Sequence, residues 1–285
     1  MKARACELPA RTQRPLARWS RSELAAETQR SGLVALISGS TIWRWLHDDA
    51  IRPWFHRSWI FSRDPAFAIQ AGRFLDLYER VWEGHPVTAD DFVISADEKT
   101  SVQARHRGHA TQPPWAGMVM KVEHEYKRAG AWAYLAALDV HHARLVGRCE
   151  STTRIAPFDR LVEQVMTSSP YRDARRVFWT VDNGSSHRGA RAVARLQQRC
   201  PNLVLVHGPV PASWLNQIEI YFSIVQRKVL TPNDFNSLAE VEPRLLAFQR
   251  HYESLARPFK WTFARRDLAR LLAKLARQES HAIAA

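Results

Sequence analysis

Cysteine is scarce: the 285 residues hold three, Cys6, Cys149 and Cys200, far apart and in no C-x-x-C pair. That spacing excludes a disulfide framework and a zinc site built on paired cysteines, and it predicts a reducing cytosol. Long apolar runs are missing too, since none approaches the ~18 residues needed to span a bilayer. The N-terminal stretch MKARACELPARTQR is charged and has no apolar core, so neither a secretory leader nor a membrane partner is expected. Internal repeats and low-complexity segments are absent. Negative charge is also in short supply, with 28 Asp and Glu against 41 Lys and Arg, a net charge of +13.

What is present points to a folded, anion-seeking chain. At 46% hydrophobic, with 11 Trp and 12 Phe, it buries a full core and is not disordered. A folded protein this basic needs an anionic partner, and nucleic acid is the first candidate. The charge is clustered: residues 1–63 hold 11 Lys and Arg against 5 Asp and Glu, and residues 256–280 hold 7 against 2. The centre is nearer balance, and the candidate reactive carboxylates lie there.

Residues 1–16 read as a loose basic arm. Ser20 and Glu23 fit the capping box S-x-x-E, so a helix is expected from Ser20 to about Arg30, stopping at Ser31-Gly32. A second helix follows Ser38, with Ile42, Trp45 and Leu46 recurring at i, i+3, i+4. Two short helices joined by a glycine-containing turn in a basic segment read as a helix-turn-helix, or as an ordinary helical hairpin with solvated arginines. In the first case Ser40, Thr41, Arg44 and His47 face base edges or phosphates, and Arg52 and Arg57 join them from residues 51–65, a candidate β-wing. The segment 66–90 reads as a helical linker.

From Asp91 the character changes. DFVISADEKT predicts a strand, Phe92 to Ala96, ending at Asp97. Residues 131–140 and 143–149 predict a hairpin turning at His141-His142, and 155–168 an amphipathic helix. A buried strand then ends at Asp182 in TVDNGSSH, a helix covers 188–199, and LVLVHG is a fifth strand. A long helix is expected after it with Ser213 as N-cap, and 237–285 is a helical extension. The order of three strands, helix, strand, helix, strand, helix predicts a mixed α/β sheet with helices on its faces.

Asp182 alone reads equally as a turn cap. Three acids taken together read differently. With the first strand central and the fourth beside it, Asp97 and Asp182 meet, and the helix over that edge delivers Glu219. Carboxylates converging from separate elements repel one another and call for cations, and hard oxygens suit Mg²⁺ or Mn²⁺. Two such ions activate a water or a 3′-hydroxyl on a phosphodiester. Asn216, one turn before Glu219, is a candidate to orient it, and Lys99, Asn183 and His187 stand beside the acids as candidate supporting residues. Trp214 and His207 read as packing or loop residues, or as DNA contacts. A two-carboxylate glycosidase explains neither the charge nor the third acid.

SADEKT, TVDNGSSH and ASWLNQIEIYFS, in that order, resemble the three catalytic blocks of bacterial insertion-sequence transposases of the mariner superfamily, the DDE type. Asp97, Asp182 and Glu219 match the family's acids, with 36 residues between the last two, and the resemblance spans about residues 17–275. It implies a ribonuclease-H-like catalytic domain over residues 91–236, preceded by a small all-α, winged helix-turn-helix domain over 17–65. It further implies two-metal cleavage and strand transfer on double-stranded DNA, terminal inverted repeats as the bound ends, TA as target, a homodimer on DNA, and a bacterial cytoplasm in contact with the nucleoid. The first of the family's two helix-turn-helix units has no counterpart in residues 1–16. A transposase-derived DNA-binding regulator without cleavage, and a nuclease of the same fold without strand transfer, are the alternatives.

Overall fold

The structure is a computed structural model and describes residues 1–56, 64–210, 212–255 and 257–283. The chain divides into two compact units, Met1–Ile60 and Phe61–Ala285.

In the first unit, Ser20 caps helix α1 (Arg21–Arg30) in a full capping box: Glu23 N–H donates to Ser20 Oγ, and Ser20 N–H to the Glu23 carboxylate. Ser38 caps α2 (Gly39–Asp48) by accepting from Thr41 N–H. Leu24, Ile42 and Leu46 close a small core between the helices. The expected loose arm is not loose. Ala5 is buried in that core, Trp19 is 2% exposed, and the Trp19 indole donates to Glu7 O at 2.9 Å. A large aromatic side chain in a unit this small has more to gain from burial than the arm loses in freedom. No strand forms over residues 51–56, so the expected wing is not seen there. The rest of that stretch, with Arg57, lies outside the described residues.

The second unit is built on a five-stranded mixed sheet: β1 (Asp91–His106), β2 (Lys127–Asp139), β3 (Leu145–Glu150), β4 (Arg176–Val181) and β5 (Leu203–His207). Their order is β3-β2-β1-β4-β5, with β1 central. The first three are antiparallel, and β4 and β5 run parallel to β1. All but the first residue of β4 are buried, as expected of a parallel strand covered on both faces. On one face Ile94, Ala96, Trp179 and Val181 pack on Phe158, Leu161 and Val165 of α4 (Ile155–Met166) and Leu196 of α5 (Ala190–Arg199). On the other, Val93, Phe178 and Val206 pack on Phe74 and Leu75 of α3 (Phe67–Tyr78). Tyr134 and Ala136 meet Ile218, Tyr221 and Phe222 of α6 (Ile218–Lys228) and Leu245 of α7 (Leu238–Leu255). The last helix is α8 (Arg265–Ile283).

Three expectations are corrected. The segment 66–90 is no linker, because α3 carries core side chains of the sheet. The first strand does not end at Asp97 but continues to His106, paired with β2 beyond the point where β4 stops. The long helix does not start at Ser213. Ser213–Leu215 is a single 3₁₀ turn, Asn216 is extended (φ −80°, ψ 113°), and α6 begins at Ile218.

Candidate active site

Asp97 and Asp182 come together through strand register. The parallel ladder pairs Asp91 with Arg176 and runs to Ser95 with Thr180. Continued two residues beyond the ladder, the same register points Asp97 toward Asp182, and the Asp182 charge acts on Asp97. Asp97 is 9% exposed. Its Oδ1 accepts from Glu98 N–H at 2.8 Å, and its Oδ2 lies 3.4 Å from the Asn216 amide.

Asp182 both caps its turn and stays available. Oδ1 accepts from Gly184 N–H at 2.7 Å and lies 2.8 Å from His187 Nε2, while Oδ2 has no hydrogen-bond partner among the described residues. The loop that returns His187 needs glycine at 184, where an added Cβ would lie 2.9 Å from both Asp182 Oδ1 and His187 Cε1. His187 is itself buried, its ring 4.5 Å from that of Phe158 and its Nδ1 2.9 Å from Ser186 Oγ. His207 Nε2 lies 2.9 Å from His187 O, and Asn183 donates to Gly208 O, so both hold the loop. Gly208 is required as well, because a Cβ there would lie 2.9 Å from the Phe74 ring.

Asn216 is a clamp between β1 and α6. Its Nδ2 donates to Ala96 O at 2.9 Å, its Oδ1 accepts from Ser95 Oγ, and Ser95 Oγ in turn accepts from Ile218 N–H at 2.9 Å. Tyr78 O–H donates to Leu215 O at 2.9 Å, fixing the turn from the α3 side. These bonds pull Asn216 out of the helix and set Glu219 in the first turn of α6. There it does not share a helical face with Asn216, contrary to expectation.

The electrostatics link the three acids. Burial pushes Asp97 up to about 7, with the charges of Asp182, Glu98 and Glu219 adding to it. Burial raises Glu219, Asp182 adds to that, and the nearby Lys99 charge opposes it. Asp182 moves the other way: the hydrogen bond from His187 lowers it most, helped by Gly184 N–H. Near neutrality Asp97 is therefore about half protonated while Asp182 is ionised, as expected of acids whose surroundings push them apart.

This donor set suits a hard divalent cation. Asp182 Oδ2 and the Glu219 carboxylate are free of hydrogen bonds among the described residues, and the like-charge penalty on Asp97 is what a cation removes. Among the described residues no group of three or more His, Cys, Asp or Glu side chains is placed to hold a metal ion by itself. Mg²⁺ does not require one, since it commonly takes one or two carboxylates and fills its octahedron with waters and substrate phosphates.

Two residues escaped the sequence reading. Ser95, fully buried, carries the link from Asn216 to Ile218. Glu98, raised by burial, places a fourth carboxylate near Asp182 and His187. A lone serine within the apolar run FVISA was the available signal for the first; the second had none beyond adjacency to Asp97. Trp214 packs edge-on against Phe263. In the first unit Ser40, Arg44, His47 and Arg52 are exposed and Thr41 is half-buried, with Arg44 Nη2 3.4 Å from Thr41 Oγ1.

The DDE superfamily endonuclease family matches residues 93–242. No curated protein matches the chain. Among solved structures, the Mos1 transposase paired-end complex with left transposon end is 13% identical over 97% of this chain and 76% of that one, with a TM-score of 0.48. The Mos1 mariner paired end complex with Mn is 15% identical over 95% and 76%, at 0.49. The catalytic domain of Mos1 mariner transposase is 14% identical over 78% and 95%, at 0.46.

Proposed function

The chain belongs to the DDE superfamily of endonucleases, and from that premise we propose that it is a transposase with a ribonuclease-H-like catalytic domain. It cuts double-stranded DNA at the terminal inverted repeats of a bacterial insertion sequence and joins the freed end to target DNA, at TA. Asp97, Asp182 and Glu219 are its catalytic acids and would hold two divalent ions, Mg²⁺ or Mn²⁺. Such a pair, when bound, supplies an activated attacking oxygen and stabilises the leaving oxygen of a phosphodiester.

The observation that carries this reading is the convergence of three elements: the β1–β4 register runs toward Asp97 and Asp182, and the Asn216 clamp ties α6, with Glu219 in its first turn, to β1. The chain's own residues build the site around them. His187 fixes the orientation of Asp182 through Oδ1 and leaves Oδ2 without a hydrogen bond among the described residues. Asn216 and Ser95 set the separation between β1 and α6, and with it the reach from Asp97 to Glu219. Lys99 brings a positive charge beside Glu219, suited to a scissile phosphate. The net charge of +13 attracts the polyanion, and the exposed Ser40, Arg44, His47 and Arg52, with Thr41, are the proposed DNA contacts of a helix-turn-helix unit.

The test is cleavage of a plasmid carrying the element's own ends, in Mg²⁺. Asp97→Ala, Asp182→Ala and Glu219→Ala are each expected to abolish cutting and to retain gel-shift binding of the ends. Near-normal nicking by any one of them refutes the assignment of that acid.

A further inference from the structure

β1 outruns its parallel neighbour. The ladder to β4 ends at Ser95, so from Lys99 onward one edge of β1 has no strand beside it. The segment after α6 meets that edge instead: Asn233 Oδ1 accepts from Arg105 N–H, Asn233 Nδ2 donates to Gln103 O, and Phe235 N–H donates to Arg105 O. Between this edge and the end of α6 lies a groove of about 330 Å³, lined among others by Lys99, Gln103, Arg105, Arg107, Gln226 and Thr231. No Asp or Glu lines it. Lys99, at one end, is two residues from Asp97, so the groove opens beside the carboxylates.

Two arginines line it. Several arginines of the chain, among them Arg14, Arg30, Arg160, Arg175, Arg195 and Arg265, sit in salt bridges. Among the described residues Arg105 and Arg107 form none. Both guanidinium groups lie over the Tyr126 ring instead, at 4.7 and 5.9 Å. Six buried side-chain polar atoms lack a hydrogen-bond partner among the described residues, and three belong to this groove: Gln103 Oε1, Arg105 Nε and Arg107 Nη1. A buried polar atom without a partner is costly, more so when charged, and half of those among the described residues border this groove.

The missing partner has a definite chemistry. Two fork-shaped cations without a salt-bridge partner among the described residues call for anionic oxygen, and guanidinium pairs best with phosphate. Arg105 lies near the end of β1 and Arg107 just past it, about 6.6 Å apart for extended chain, so they can meet successive anionic groups on a chain. A volume of about 330 Å³ is small for a duplex and suits the backbone of one strand. We propose that this groove holds the phosphodiester backbone of a single DNA strand leading away from Asp97 and Glu219, with Arg105 and Arg107 as its phosphate contacts. The direction of the strand rests on the nuclease reading above; the binding itself does not.

The experiment is fluorescence anisotropy in chelator, so that no cutting is read. The two probes are a blunt duplex and the same duplex with a single-stranded tail, titrated over a range of salt. For the Arg105→Gln, Arg107→Gln double variant the tailed probe is expected to bind roughly tenfold more weakly. Its log–log salt slope should be shallower by about 1.4, or 0.7 for each single-strand phosphate lost, with the blunt probe unchanged. Gln226→Glu, at an exposed position whose one side-chain hydrogen bond, to Thr231, is on the surface, is expected to weaken the tailed probe too. Arg105→Lys with Arg107→Lys should retain the slope. An unchanged tailed-probe slope in both the double variant and Gln226→Glu overturns the proposal, and equal losses on both probes overturn the single-strand assignment. A parent that never cuts DNA, yet shows the tail-specific slope, leaves the groove standing and removes only the nuclease reading.

Discussion

His187 Nε2 lies 2.8 Å from Asp182 Oδ1, five residues away along the chain, with its ring against Phe158. The imidazole holds one carboxylate oxygen and so decides where the other points. His187→Ala should leave the fold intact and weaken Mg²⁺ binding about 10- to 100-fold, the usual loss when a group orienting a ligand is removed. The rise in melting temperature with added Mg²⁺ measures this, because stabilisation follows ligand concentration over dissociation constant. An unchanged Mg²⁺ dependence shows that His187 only packs.

Asn216 joins the strand that carries Asp97 to the helix that carries Glu219. Asn216→Ala leaves the Ala96 carbonyl and the Ser95 hydroxyl short of a buried partner, at about 1–3 kcal/mol. Urea unfolding should show a lower midpoint at unchanged m-value. DNA cleavage should fall further than DNA binding, because the spacing of the acids changes and the basic surface does not. Equal falls in both argue for a purely structural role.

Asp97 gives a pH dependence with a defined sign. Folded, it keeps its proton up to about 7, against an ordinary value of 3.8. Between those values the folded chain binds a proton that the unfolded chain has lost, so stability falls as pH rises through this window. The contribution is fully present below about 3.8 and is gone above about 7. In chelator, the melting-temperature difference between Asp97→Asn and the parent should grow in favour of the variant from pH 4 to pH 7 and then level off. Mg²⁺ should shrink the difference. A pH-independent difference contradicts the burial and charge assigned to Asp97.

Much of this site was legible because it rests on short-range patterns. An apolar run closing on Asp182, another reaching Asp97, and a core stripe of Leu215, Ile218 and Phe222 near Glu219 are visible in the chain. The strand beyond Asp97 was not. An extra residue on β1 between Lys99 and Val102, with Ser101 at φ 57°, shifts the alternation so that Val102 and Ala104 turn inward amid polar neighbours. Nor was the true start of α6, since Pro-Ala-Ser looks like a helix start while Asn216 is drawn out of the helix by β1, some 120 residues distant. Tertiary hydrogen bonds overrode a local signal there. The contact of His187 with Asp182 depends on a loop closure that no periodicity encodes.

Crystals of the protein soaked in Mn²⁺ and measured at the manganese edge test the central claim most directly. The expected result is two anomalous peaks about 3.5–4 Å apart, held among Asp97, Asp182 and Glu219. Manganese bound elsewhere or not at all, with the three carboxylates held apart, contradicts it.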